Sequence, residues 1–131
     1  MDLQTVIRTE LERRRQRNAR YSLRGLATSL RVHHSTLSRI LDGRRSVTPD
    51  AIERLGERLG LDRGAIRELR LAENRKAVLR AVGDRRFRAD SRWLAMMTGI
   101  PVDDLNIALH SLLHEGRLIM SSATHWTATD D

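Results

Sequence analysis

The chain of 131 residues contains no cysteine, only two prolines, four aromatic residues and a single lysine. Without cysteine there is no disulfide, no thiolate metal ligand and no cysteine nucleophile, which fits a reducing cytoplasm. With so few rings, the core must come from Leu, Ile, Val, Ala and Met, a palette that suits packed helices better than a β-sandwich. No apolar run approaches the roughly 20 residues needed to span a bilayer. The opening Met-Asp-Leu-Gln-Thr-Val-Ile-Arg has no basic stretch leading into an apolar one, so neither a secretory signal nor a membrane partner is expected. Also missing are a phosphate-cradling glycine loop, paired carboxylates and a serine nucleophile motif, so the sequence predicts neither an enzyme nor a bound cofactor. Hydrophobic residues make up 40% and charged residues 31%, the balance of a folded globular protein.

What is abundant is arginine, and it is unevenly placed. Residues 1–45 hold eleven arginines against four carboxylates, whereas the other 86 residues hold thirteen basic and thirteen acidic side chains. The entire net charge of +7 therefore sits in the first third. Such segregation predicts a polyanion-binding first half and a second half with another task.

Apolar spacing predicts a string of helices. Leu3, Val6, Ile7 and Leu11 share one face of the first, which ends in the basic run Arg13 to Arg17. Ser22 caps a second with Leu23, Leu26, Ala27 and Leu30 inward, and a turn at Arg31–His33 leads into a third. There Leu37, Ile40 and Leu41 face inward until Asp42-Gly43 stops the helix. Thr48-Pro49 starts a fourth helix with Ile52, Leu55 and Leu59, and Asp62 caps a fifth with Ile66 and Leu69. The pattern restarts near Ala72–Arg75, predicting a separate sixth helix with Ala77, Val78, Ala81 and Val82. A short strand at Arg86-Phe87-Arg88, helices around Leu94 and from Pro101 to Gly116, and a hairpin of 118–120 with 125–127 complete the chain. The domains expected are 1–71 and 73–131.

The informative stretch is Tyr21 to Arg45. A capped helix with a Leu-Ala pair, a tight turn ending in Val32, a Ser/Thr-rich helix and a closing Gly43 with basic residues resembles the phage repressor and Cro type of helix-turn-helix. Thr48-Pro49-Asp50 and Leu59-Gly60-Leu61 resemble the same family's fourth helix and its end, so the likeness covers about residues 5–70. It implies a mainly all-α protein: a five-helix repressor-type domain followed by a small winged-helix-like α+β domain. It also implies binding of double-stranded DNA, with base contacts from His34, Ser35, Ser38 and Arg39 and backbone contacts from Ser22, Arg24, Thr36, Arg44 and Arg45. The side chains are suited to these roles, and Arg39 is the one for guanine O6 and N7. Two positions depart from the family pattern: Arg31 stands where glycine is usual in the turn, and Leu23 where many members carry a phosphate-contacting glutamine.

The second half, by its order of elements, more loosely resembles bacterial regulators with a following winged-helix-like segment. Its candidate reading helix opens Val102-Asp103-Asp104, and carboxylates there would meet phosphate, so dimerisation or partner binding is expected of it. Arg85, Arg86, Arg88 and Arg92 form a local basic cluster that speaks the other way. His110 and His114 lie four apart, with His125 a third histidine, but no metalloprotease pattern surrounds them and no metal is expected. The expectation is thus a bacterial, cytoplasmic, sequence-specific transcription regulator, a repressor acting as a homodimer on a pseudo-palindromic operator. The alternative is a protein-interaction module, an antitoxin or anti-activator, whose winged segment grips a protein partner. An RNA-binding module is disfavoured because the basic half lacks exposed aromatics beyond Tyr21.

Overall fold

The structure, a computed structural model, describes residues 1–44 and 47–129. The chain divides into two compact units, residues 1–70 and 71–131. Four helices and the start of a fifth build the first: α1 (Leu3–Arg17), α2 (Leu23–Ser29), α3 (His34–Leu41), α4 (Pro49–Arg58) and α5 (Arg63–Val82). Short polar side chains start them as their sequence predicts. Asp2, Ser22, Thr48 and Asp62 accept from the backbone N–H of Thr5, Gly25, Ala51 and Ala65 at 2.8–3.2 Å. Leu3 and Ile7 of α1, Leu26 and Leu30 of α2, Leu37 of α3 and Ile52 of α4 are fully buried in one cluster. Burying a side chain of this size stabilises by about 1.5–3 kcal/mol, so the small aliphatic core suffices without rings.

Helix endings are equally regular. At the ends of α2, α3 and α4 the chain makes paired reverse bonds, such as Val32 N–H to Ala27 C=O and Arg31 N–H to Thr28 C=O after α2. The motif needs one residue in the left-handed region. Gly43 (φ 72°) and Gly60 (φ 78°) supply it after α3 and α4, but after α2 the residue is Arg31, at φ 57°. Among the described residues it alone has a side chain in that region. The chain thus tolerates strain at the turn instead of adopting another turn.

The second unit comprises the end of α5, then α6 (Ser91–Thr98), α7 (Val102–His114), β1 (Leu118–Met120) and β2 (Trp126–Ala128). Val78, Leu94, Leu105, Leu112 and Leu118 are its fully buried members. The antiparallel hairpin pairs Leu118 with Ala128 and Met120 with Trp126, so the second strand begins one residue later than the spacing predicts.

Two expectations are corrected. The break near Ala72–Arg75 does not exist, because α5 runs unbroken from Arg63 to Val82. Ala72 to Arg75 contain no glycine or proline to stop a helix. The apolar stripe changes phase there because Leu69 joins one core and Val78 the other. Nor is there a strand at 86–88. The Asp84 carboxylate accepts from the Arg86 N–H at 2.8 Å and the Asp84 carbonyl from the Phe87 N–H at 3.1 Å, closing a turn. The alternating pattern records one ring, Phe87, that packs edge-on against Trp93 with centroids 5.8 Å apart. The sheet of the described residues consequently has two strands.

Two substitutions probe this packing. Arg31→Gly relieves about 1–2 kcal/mol of left-handed strain and loses about 0.5–1 kcal/mol through the freer unfolded chain, so a gain of about 0.5–1 kcal/mol is expected in denaturant unfolding. At Gly56, buried in α4, an added Cβ would stand 2.8 Å from Ile66 Cγ1. Overpacking of about 1–3 kcal/mol then exceeds the helix-propensity gain of about 1 kcal/mol, and Gly56→Ala should lower stability by about 1 kcal/mol. Opposite signs in either variant would show that these two close approaches are misread.

Candidate nucleic-acid interface

The candidate surface is built on α3. Leu37 and Ile40 turn into the core, which leaves Arg39 exposed and Ser38 half-buried on the outer side. An eight-residue helix has little stability of its own, so its position is set by its ends and its buried face. At the N-terminus His33 is the cap. Its Nδ1 accepts from the Ser35 N–H at 3.3 Å and lies 2.7 Å from Ser35 Oγ. At the C-terminus the carbonyls of Ile40, which also takes the Gly43 N–H, and Leu41 accept from Gln4 Nε2 (3.1 Å) and Arg8 Nη2 (2.9 Å) of α1.

His34, the first residue of α3, stacks at 4.7 Å on the His33 ring. Partial burial, the Arg24 guanidinium and the His33 ring together hold its pKa below the ordinary value. The arginine at the start of α2 and the histidine at the start of α3 are therefore electrostatic neighbours. Ser22 caps α2 and keeps a hydroxyl proton for an outside acceptor. Arg44 follows α3 directly, its N–H on the Arg39 carbonyl at 2.9 Å, with its side chain exposed. Among the described residues the side chains of Arg24, Arg39 and Arg44 form no hydrogen bond or ion pair.

The predicted residues are thus only partly gathered. Ser22, Arg24, His34, Ser35, Ser38, Arg39 and Arg44 belong to the starts of α2 and α3, the outer side of α3 and its exit. Thr36 points elsewhere, into a cavity lined also by Val32 and Ala51. Arg45 lies outside the described residues. Sequence reasoning missed His33, Gln4 and Arg8, which hold α3 at its two ends. A histidine just before a helix start was the available sign for the first. The contacts of Gln4 and Arg8 span 36 and 33 residues, and no local pattern announces them.

The basic run Arg13–Arg17 is not simply free charge. Arg13 and Arg14 both bond Glu10, at 2.6 and 2.8 Å, and pull its pKa from 4.5 down to about 2. Arg14 also donates to the Tyr21 hydroxyl at 2.6 Å and lies over its ring.

Residues 7–69, just under half the chain, match the family model of a helix-turn-helix domain. Over this segment the chain is similar to helix-turn-helix domains. No curated protein and no solved structure matches the chain. The matched span contains α2, the Arg31 turn and α3 whole, so the helix-turn-helix is the arrangement described above. No described helix is long and apolar enough to cross a membrane, and the described residues contain no cluster of three or more His, Cys, Asp or Glu able to hold a metal ion.

Proton titration tests the electrostatic contact between the two helix starts. A lowered folded pKa favours the neutral imidazole, so the stability it contributes is present above the ordinary pKa of about 6.5 and is lost as pH falls through that value and below. NMR titration of His34 should give a midpoint under 6.5, and Arg24→Ala should raise it. An unchanged midpoint in that variant would separate the two side chains.

Proposed function

We propose that the protein is a sequence-specific double-stranded DNA-binding transcription regulator, a bacterial repressor that acts as a homodimer on a pseudo-palindromic operator. One observation carries the reading. The outer side of α3 in the helix-turn-helix presents Ser38 and Arg39 without any carboxylate before Asp42, while its Leu37 and Ile40 are buried. A helix of that kind fits a major groove, with phosphate-seeking groups at its flanks. In this reading His34, Ser35, Ser38 and Arg39 contact bases, Arg39 by the bidentate bond to guanine.

Ser22, Arg24, Arg44 and Arg45 take the backbone, where the Arg24 and Arg44 side chains form no hydrogen bond or ion pair among the described residues. Thr36 sits on the cavity side of α3 and is the weakest of the proposed backbone contacts. Two-fold symmetry follows from the docking geometry of such domains, whose half-sites lie about 34–36 Å apart. One such unit alone offers little base contact for a high affinity. The function is recognition without catalysis, in the cytoplasm.

The second reading is a protein-interaction module, an antitoxin or anti-activator. It draws on the residues after position 70, where Met96, Ile107 and Ile119 are 72%, 58% and 49% exposed. Large exposed apolar side chains are what a partner or second copy covers. The two readings are compatible, since the winged-helix-like unit would then dimerise or grip a partner while the first unit reads DNA.

Selection of binding sites from random duplexes, repeated with variants, decides. Arg39→Ala should lose about 1–3 kcal/mol of discrimination, roughly a 5- to 150-fold relaxation at one base position. Arg44→Ala combined with Arg45→Ala should weaken all sequences alike and make the slope of log K against log salt shallower by about 0.9 for each lost phosphate contact. No selected sequence with the intact chain, or indifference to both variants, would overturn the assignment.

A further inference from the structure

The first unit contains a cavity of about 260 Å³ between α3 and α4, lined on α3 by Thr36 and Ile40. Its walls are part apolar, with Ile40, Ala51 and Leu55 on that part. Its polar groups are the guanidinium-bearing residues Arg31, Arg54 and Arg58 and the hydroxyls of Thr36 and Thr48. Among the described residues no carboxylate lines it. Three cationic side chains around an apolar floor, with nothing negative to neutralise them, leave a field that attracts an anion.

The distribution of ion pairs along α4 sharpens this. Glu53 takes two arginines, Arg63 at 2.7 Å and Arg70 at 3.1 Å. Its chain neighbour Arg54 and the cavity's Arg31 make no side-chain bond among the described residues. Arg58 is aimed rather than neutralised: its Nη1 donates to the Leu30 carbonyl at 2.8 Å, which fixes the guanidinium and leaves its other N–H groups unassigned. Thr48 Oγ1 accepts from the Ala51 N–H at 3.2 Å and still has a proton to give.

A second, independent observation is the strain at the turn. Arg31 holds φ 57° where glycine would adopt the same conformation without a steric cost. A side chain retained at a strained position is a reason to ask what that side chain does. Here it lines the cavity.

We propose that this cavity is a binding site for a compact organic anion, a carboxylate or phosphate monoester attached to a small apolar group. Arg54 and Arg31 take the charge as bidentate donors, Arg58 and the two threonines complete the oxygen contacts, and the apolar part rests on Ile40 and Leu55. The volume lies just under the usual 300–1,000 Å³ of ligand pockets, which limits the ligand to a small one. Because Thr36 and Ile40 belong to α3, occupancy bears directly on the helix proposed to read DNA. The same chemistry is offered by a backbone phosphate of DNA with its sugar, so the source of the anion is a matter for experiment. The site itself does not depend on the DNA-reading proposal.

The test uses the intact, ¹⁵N-labelled chain titrated at constant ionic strength with phenyl phosphate, benzoate and neutral benzyl alcohol. Saturable shifts are expected at the amides of Val32, Thr36, Ile40 and Thr48 with the two anions and not with the alcohol. Arg54→Ala should weaken binding at least tenfold, and Arg31→Gly should do likewise while remaining folded and at least as stable as the parent. No saturable response to either anion, an equal response to benzyl alcohol, or unaltered affinity in Arg54→Ala overturns the site. If a saturating duplex displaces phenyl phosphate from these amides, the seat belongs to a backbone phosphate. If both bind together, it belongs to a free anion.

Discussion

An eight-residue helix cannot hold itself, and everything on the candidate surface depends on how α3 is held. Isolated helices shorter than about 12–15 residues are marginal in water, so α3 exists because other parts of the chain satisfy it. Leu37 and Ile40 supply the buried side. His33 satisfies an N–H at one end, and Gln4 and Arg8 reach from the first helix to the last carbonyls at the other. Those two donors, one of them cationic, sit where the helix dipole is negative, so they orient the helix as well as close its hydrogen bonds. Rigid support at both ends is what allows Ser38 and Arg39 to be presented in one geometry.

The arginine excess of the first third divides into two functions. Arg8, Arg13, Arg14 and Arg15 have intramolecular partners: a backbone carbonyl, the Glu10 carboxylate, the Tyr21 hydroxyl and the Tyr21 carbonyl. Only the Glu10 carboxylate among these partners is charged, and the bonds of Arg14 and Arg15 to Tyr21 fix the end of α1 against the segment before α2. Among the described residues Arg24, Arg39 and Arg44 have no such partner, and they lie near the start of α2, on the outer side of α3 and at its exit. Net charge by itself overstates the attractive surface, because a guanidinium already bonded to a carboxylate contributes little field beyond a Debye length of about 8–10 Å. Position and pairing decide which arginines count.

Much of the first unit was legible in the sequence because its signals are local. Ser22, Thr48 and Asp62 cap where hydroxyl and carboxylate side chains should, and Gly43 and Gly60 end helices where a left-handed residue is needed. The inward positions Leu26, Ala27, Leu37 and Ile40 were readable from helical period alone. Reading failed where one element serves two neighbourhoods. The restart near Ala72 recorded a change of core within α5, not a chain break, and the Arg-Phe-Arg alternation recorded one packed ring instead of a strand. At the site, the residues named on α3 follow from periodicity. The inward turn of Thr36 toward a cavity does not, because that cavity needs α4 in place. Long-range side-chain bonds such as Arg58 to Leu30 have no sequence period at all.

Two helices of this protein follow short turns and could be compared as readers of a polyanion, and their first turns differ in kind. The first turn of α7 holds Asp103 and Asp104, which complement the positive helix end and thereby use up its capacity for an external anion. The first turn of α3 has no acidic residue; it opens with His34 and Ser35 beside Arg24, so its positive end remains available. A helix end already neutralised from within has less to gain from a phosphate, while one left bare gains both the dipole interaction and the N–H bonds. The same physical effect that stabilises α7 locally makes it the weaker candidate in the proposed reading, and the exposed Ile107 in its middle adds an apolar side chain that water does not favour. In the proposed DNA-binding reading, that asymmetry favours α3 over α7 as the helix that meets phosphate.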